Sequence, residues 1–142
     1  MHAIGDVTPV EAWEMLKGEP KAQLVDVRTT AEWAFVGVPD LMQLNRNVIA
    51  IEWSMYPSSA RNEQFEALVA DKLNAQGAGA NTSIVFLCRS GVRSLAAAKA
   101  MAAAGFNRCF NITGGFEGDL DTQKHRGRHN GWKHAGLAWK QS

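Results

Sequence analysis

The stretch Ser83-Ile84-Val85-Phe86-Leu87-Cys88-Arg89-Ser90-Gly91-Val92-Arg93-Ser94 decides how the chain is read. Ile84 to Leu87 is a continuous apolar run, the pattern of a strand buried on both faces. From about Ser94 to Ala104 the sequence becomes an alanine-rich helix former, stopped by Gly105. A buried strand that passes through a short loop into a helix is a unit of parallel sheet. In such sheets ligands gather outside the carboxyl ends of the strands. Cys88 stands at that edge.

Working outward, the same grammar repeats. Thr8-Pro9-Val10-Glu11 opens a helix with a capping box and a proline at its first position, and Gly18 and Pro20 close it. Gln23 to Val27 reads as a buried strand. Thr29-Thr30-Ala31-Glu32 is a second capping box, opening a short helix through Phe35. Residues 47–53 read as a strand, and residues 62–74 as a helix with Phe65, Leu68, Val69 and Leu73 on one face. Arg108 to Ile112 is a further strand, ended by Gly114-Gly115, a turn that calls for positive φ. Strands alternating with helices give an α/β fold: a central, mostly parallel sheet with helices on both faces.

Composition bounds what such a fold can do. The 142 residues are 46% hydrophobic and 20% charged, as expected of one domain over 1–142. Its core spans about 4–120. Residues 121–142 form a loop-rich tail with three histidines and five basic residues, pinned by Trp132, Leu137 and Trp139. A net charge of +1 argues against a dedicated nucleic-acid binder. No run approaches the roughly 18 apolar residues of a membrane span. Met1 to Asp6 lack the basic and apolar regions of a secretory signal, so a cytoplasmic location is expected. Two cysteines are too few for a disulfide framework and read as thiols of a reducing compartment.

The Cys88 loop carries the chemistry. Loop amides can converge into an anion nest, the helix N-terminus adds partial positive charge, and Arg89 and Arg93 add full charges. All three favour thiolate over thiol in a cysteine so placed, and all three attract an incoming anion. A thiolate beside an anion site is a nucleophilic arrangement. Either arginine could contact the anion, or brace the loop through a carboxylate. Cys109, inside an apolar strand, reads as an interior thiol. Arg28 is expected to pair with Glu32 or Asp26. His125, His129 and His134 read as surface residues rather than metal ligands, and no metal or cofactor is expected.

Cys88-Arg89-Ser90-Gly91-Val92-Arg93 resembles the active-site loop of the rhodanese-like sulfurtransferases. Asp26-Val27-Arg28 with Glu32-Trp33, and Asn111-Ile112-Thr113-Gly114-Gly115-Phe116, extend the resemblance over most of the chain. It implies a rhodanese-like fold and a persulfide formed on Cys88, with Arg89, Ser90, Gly91, Val92, Arg93 and Ser94 binding the sulfur or its donor, chiefly through backbone amides. The donor would be a small sulfur-containing anion such as thiosulfate, and the acceptor cyanide or a thiol. An alternative is a persulfide carrier serving a sulfur-relay protein. A phosphatase or arsenate reductase is disfavoured, because those related enzymes hold their tetrahedral substrates in a longer loop than the four residues between Cys88 and Arg93. The family's Gly-His-Ile-Pro-Gly is here Val36-Gly37-Val38-Pro39-Asp40, which lacks the histidine.

Overall fold

Side chains alternate across the middle of the sheet, and both sides are buried. Val25, Ile84 and Phe86 point into one apolar cluster, while Leu24, Val85 and Leu87 point into another. The computed structural model describes residues 4–141; Met1–Ala3, part of the opening read for a secretory signal, and Ser142 lie outside the described residues. The elements follow as β1 (Gly5–Val7), α1 (Pro9–Gly18), β2 (Gln23–Asp26), α2 (Thr30–Phe35), β3 (Val38–Pro39), β4 (Ile49–Ala50), α3 (Phe65–Ala75), β5 (Ile84–Leu87), α4 (Val92–Ala103), β6 (Cys109–Ile112) and β7 (Trp139–Lys140).

Five strands form a parallel sheet in the order β1-β6-β5-β2-β4. Phe65, Val69 and Leu73 of α3 and Ala97, Ala98 and Met101 of α4 cover one face. Ala12 and Leu16 of α1 cover the other, together with Phe116 and Trp132. The chain leaves β2 toward β4 and leaves β5 toward β6. The carboxyl ends of β2 and β5 therefore flank the point where strand order reverses, the usual place for a ligand. Cys88 follows β5 directly.

Both capping boxes form: Thr8 accepts from the Glu11 N–H and Thr29 from the Glu32 N–H, each reciprocated by the glutamate. Four expectations change. β1 pairs with β6 although Gly5 and Asp6 give it no strand-like pattern. The ladder expected over 47–53 is reduced to Ile49 and Ala50, although the Ile51 and Trp53 N–H groups still reach the Asp26 and Val27 carbonyls. α3 starts at Phe65, because Asn62 turns its side chain to the Glu52 carbonyl and the Gln64 N–H. α4 starts at Val92, so Arg93 and Ser94 sit in its first turn rather than in the loop.

The tail contributes one side chain to the core, Trp132. Trp132 is fully buried, lies edge-on to Trp13 and donates its indole N–H to the Ala138 carbonyl. Trp139 is 39% exposed but pairs through its backbone with Pro39, joining β7 to β3. Arg46 spans back to α1, where its three nitrogens donate to the Leu16, Glu19 and Pro20 carbonyls. Among the described residues, no helix is long and apolar enough to cross a membrane.

Candidate functional site

Cys88 is held from three directions. The Val27 N–H donates to the carbonyl of Leu87, just before it, at 2.8 Å, and the Phe116 N–H, from beyond β6, donates to the Cys88 carbonyl at 2.8 Å. Gly114 and Gly115 make the turn behind the loop with φ of +76° and +61°. A Cβ on Gly115 would lie 2.5 Å from the Cys88 carbonyl oxygen, so only glycine lets the two backbones approach this closely.

The sulfur has two polar neighbours. The Gly91 N–H donates to Sγ at 3.1 Å, and the Ser94 hydroxyl lies 3.2 Å from it. Gly91 has φ of +120°, a conformation that turns its amide back toward the sulfur. Ser94 is buried and donates to Asn111 Oδ1 at 2.6 Å, and Asn111 Nδ2 reaches Asp6 at 3.5 Å. With its proton given to Asn111, the Ser94 oxygen is free to accept from a Cys88 thiol. For a thiolate the hydroxyl must turn and donate to sulfur instead. Asn111 and Asp6 carry no chemistry in the sequence reading, because neither is near the loop in the chain.

Arg93 does not reach into open space. Its Nη1 and Nη2 donate to Glu32 Oε1 and Oε2 at 2.6 and 3.0 Å, a bidentate pair joining α4 to the cap of α2. Burial opposes the Glu32 charge, but the Arg93 hydrogen bonds and charge outweigh it and hold the carboxyl below its ordinary range. The Glu32 hydrogen bonds likewise raise Arg93. Arg28 therefore takes Asp26, the other of the two partners expected for it: Nε and Nη2 donate to the two carboxylate oxygens at 2.9 and 2.7 Å. The pair is fully buried, with Nη2 also on the Gly37 carbonyl and the guanidinium 4.2 Å from the Phe116 ring centre.

A cavity of about 270 Å³ is lined by Cys88, Arg89, Ser90, Val92 and Arg93. Arg89 and Val92 are exposed at its mouth, Ser90 and Gly91 are half-buried, and the Cys88 residue itself is 1% exposed. Arg89 and Arg93 also line a larger cleft of about 520 Å³, with Met55, Tyr56, Glu117 and Arg126 on its other walls. Arg126 reaches this cleft although no spacing in the sequence announces it. Cys109 is separate: it is buried, its Sγ donates to the Phe106 carbonyl, and burial pushes its thiol up to about 12. Among the described residues, no cluster of histidine, cysteine and carboxylate could hold a metal ion.

Comparison with known proteins agrees with this architecture. The family model described as the STR4 middle domain matches residues 4–142. The crystal structure of Rv0390 from M. tuberculosis superposes with a TM-score of 0.87 at 45% identity, covering 100% of both chains. A rhodanese-like domain protein from Staphylococcus aureus superposes with a TM-score of 0.56 at 24% identity, over 96% of this chain and 99% of that one, which shows a shared fold. A sulfurtransferase of Allochromatium vinosum is 32% identical over 92 residues, 65% of each chain.

Proposed function

The chain belongs to the STR4 middle-domain family, and from that premise we propose that it is a sulfurtransferase that carries a sulfane sulfur on Cys88. One observation carries this reading: the Cys88 sulfur faces the Gly91 N–H and the Ser94 hydroxyl, and Cys88 lines a pocket with Arg89, Ser90, Val92 and Arg93. The activity named for the Allochromatium relative supports it.

In the first half-reaction the Cys88 thiolate attacks the outer sulfur of thiosulfate. A bond forms between Sγ and that sulfur, the donor's S–S bond breaks, and sulfite leaves with the electron pair. Arg89 meets the donor anion at the mouth. The Gly91 amide and the Ser94 hydroxyl stabilise negative sulfur inside. Arg93, engaged by Glu32, adds positive charge while fixing the first turn of α4. In the second half-reaction cyanide or a thiolate attacks the outer sulfur of the persulfide, and the Sγ–S electrons return to Cys88. This is covalent, ping-pong catalysis, and no step needs a metal or cofactor.

The experiment is to incubate the protein with thiosulfate, read its intact mass, add cyanide and assay thiocyanate, with Cys88→Ser beside it. The expected result is the gain of one sulfur atom by the wild type alone, followed by its release as thiocyanate. No gain, or equal transfer by Cys88→Ser, overturns the reading. Loading with negligible cyanide turnover points to a carrier that discharges to a sulfur-relay protein. Aryl phosphate hydrolysis points to a phosphatase.

A further inference from the structure

The 520 Å³ cleft is much larger than a donor of a few atoms requires; pockets of roughly 300–1,000 Å³ suit organic molecules. It adjoins the nucleophile, since Arg89 and Arg93 line both it and the pocket around Cys88. Its charges are not equivalent. Arg93 is taken by both oxygens of Glu32. Among the described residues, Arg89 and Arg126 make no ion pair, and Arg126 has only a neutral partner, the Gly118 carbonyl. Glu117 lines the cleft as well, without an ion pair of its own among the described residues. Two guanidinium groups without ion-pair partners thus face one concave space, whose remaining walls mix Val36, Met55 and Tyr56 with the hydroxyls of Thr29, Ser54 and Ser59. That combination fits an organic body bearing a carboxylate, which an arginine can bind in bidentate fashion.

We propose that Arg126 and Arg89 form a carboxylate clamp in the cleft beside Cys88, selecting a carboxylate-bearing organic thiol as the sulfur acceptor. The identity of the acceptor rests on the sulfurtransferase reading; the clamp itself does not. In the step it serves, the bound thiolate attacks the outer sulfur of the Cys88 persulfide. A new S–S bond forms on the acceptor, the Sγ–S bond breaks, and Cys88 recovers its electron pair as thiolate. A neutral thiol undergoes the same exchange without the anchoring contact.

Two measurements test this. In the first, 2-(methylthio)succinate, an unreactive thioether, is titrated by calorimetry into Cys88→Ser protein with and without Arg126→Ala or Arg126→Lys. Binding that weakens at least fivefold in Arg126→Ala, and less in Arg126→Lys, is expected. Unaltered binding in Arg126→Ala, or none to the parent protein, overturns the clamp. Matched thermal unfolding of the variants excludes misfolding as the cause, and Arg89→Ala supplies a second variant should Arg126→Ala fail to fold. In the second, protein loaded with sulfur is discharged by mercaptosuccinate or by 2-mercaptoethanol. A preference for mercaptosuccinate of at least fivefold, lost in Arg126→Ala, is expected; equal rates in the wild type overturn the acceptor assignment. If Cys88 takes up no sulfur while binding still depends on Arg126, the sulfurtransferase reading falls and the clamp stands. If sulfur loads but binding ignores Arg126, the reverse holds.

Discussion

The guanidinium of Arg93 and the carboxylate of Glu32, 61 residues apart in the chain, meet through two hydrogen bonds of 2.6 and 3.0 Å. The same carboxylate completes the Thr29 capping box, so one side chain joins the start of α2 to the start of the helix that follows Cys88. Glu32→Gln removes the charge and one acceptor, and is expected to cost about 1.5–3 kcal/mol at pH 7. The sign with pH follows from the lowered carboxyl. Its contribution is fully present above its ordinary value of 4.5 and is lost as pH falls through the lower folded value. Urea unfolding of wild type and Glu32→Gln should therefore differ more at pH 7 than at pH 3; an equal difference at both would contradict the pairing.

Ser94→Ala leaves the Cys88 sulfur with the Gly91 amide alone. A hydrogen bond to a charged group contributes about 1.5–3 kcal/mol, so persulfide formation should slow by roughly tenfold or more. Ser94→Thr, which keeps the hydroxyl, should recover much of the rate. Stopped-flow or quenched mass measurements of sulfur loading read both.

Cys109 should stay unmodified in the native protein. Its thiol, pushed up to about 12 by burial, carries almost no thiolate at pH 8. Peptide mapping after iodoacetamide should find Cys109 labelled only in denaturant, and Cys109→Ala should load sulfur at close to the wild-type rate.

Gly115→Ala and Gly127→Ala separate backbone strain from collision. Both residues have positive φ, but a Cβ at 127 meets nothing within 4 Å, whereas at 115 it meets the Cys88 and Arg89 backbone at about 2.5 Å. Gly127→Ala should cost about 1–2 kcal/mol, and Gly115→Ala more than that, with sulfur loading lost as Cys88 is displaced. Thermal unfolding and mass gain after thiosulfate check the pair.

Trp132→Ala should destabilise the protein by about 3–5 kcal/mol, because it empties a fully buried indole from beneath α1. Denaturant unfolding measures this. A change under 1 kcal/mol would mean that the C-terminal segment is dispensable to the core.

The layered architecture was legible because burial on both faces leaves continuous apolar strands such as Ile84–Leu87, and because capping residues mark helix starts locally. β1 was not legible: Gly5 and Asp6 pair only because β6 offers them an edge. In the tail Trp132 was named as a pin, but a lone indole has no period, so its place edge-on to Trp13 of α1 was not legible. At the site, Cys88 and its loop stood out through their position between a strand and a helix. The partners that set their geometry did not. Glu32, Asn111 and Arg126 arrive from other elements, and pairing across such distances leaves no local pattern. Arg28 illustrates the cost: helical spacing allowed Glu32 as well as Asp26, and the fold gives Glu32 to Arg93.

Arg28 and Asp26 leave each other few independent mutational routes. Neither has any solvent exposure, and Arg28 Nη1 has no hydrogen-bond partner. Changing either one alone strands a buried charge, at a cost of about 3–5 kcal/mol, whereas replacing both together with well-packed apolar residues can be close to neutral. Descent should therefore treat the two positions as one heritable unit. Variants gathered by random mutagenesis should show them intact or altered in company, seldom singly, even though neither touches the Cys88 sulfur.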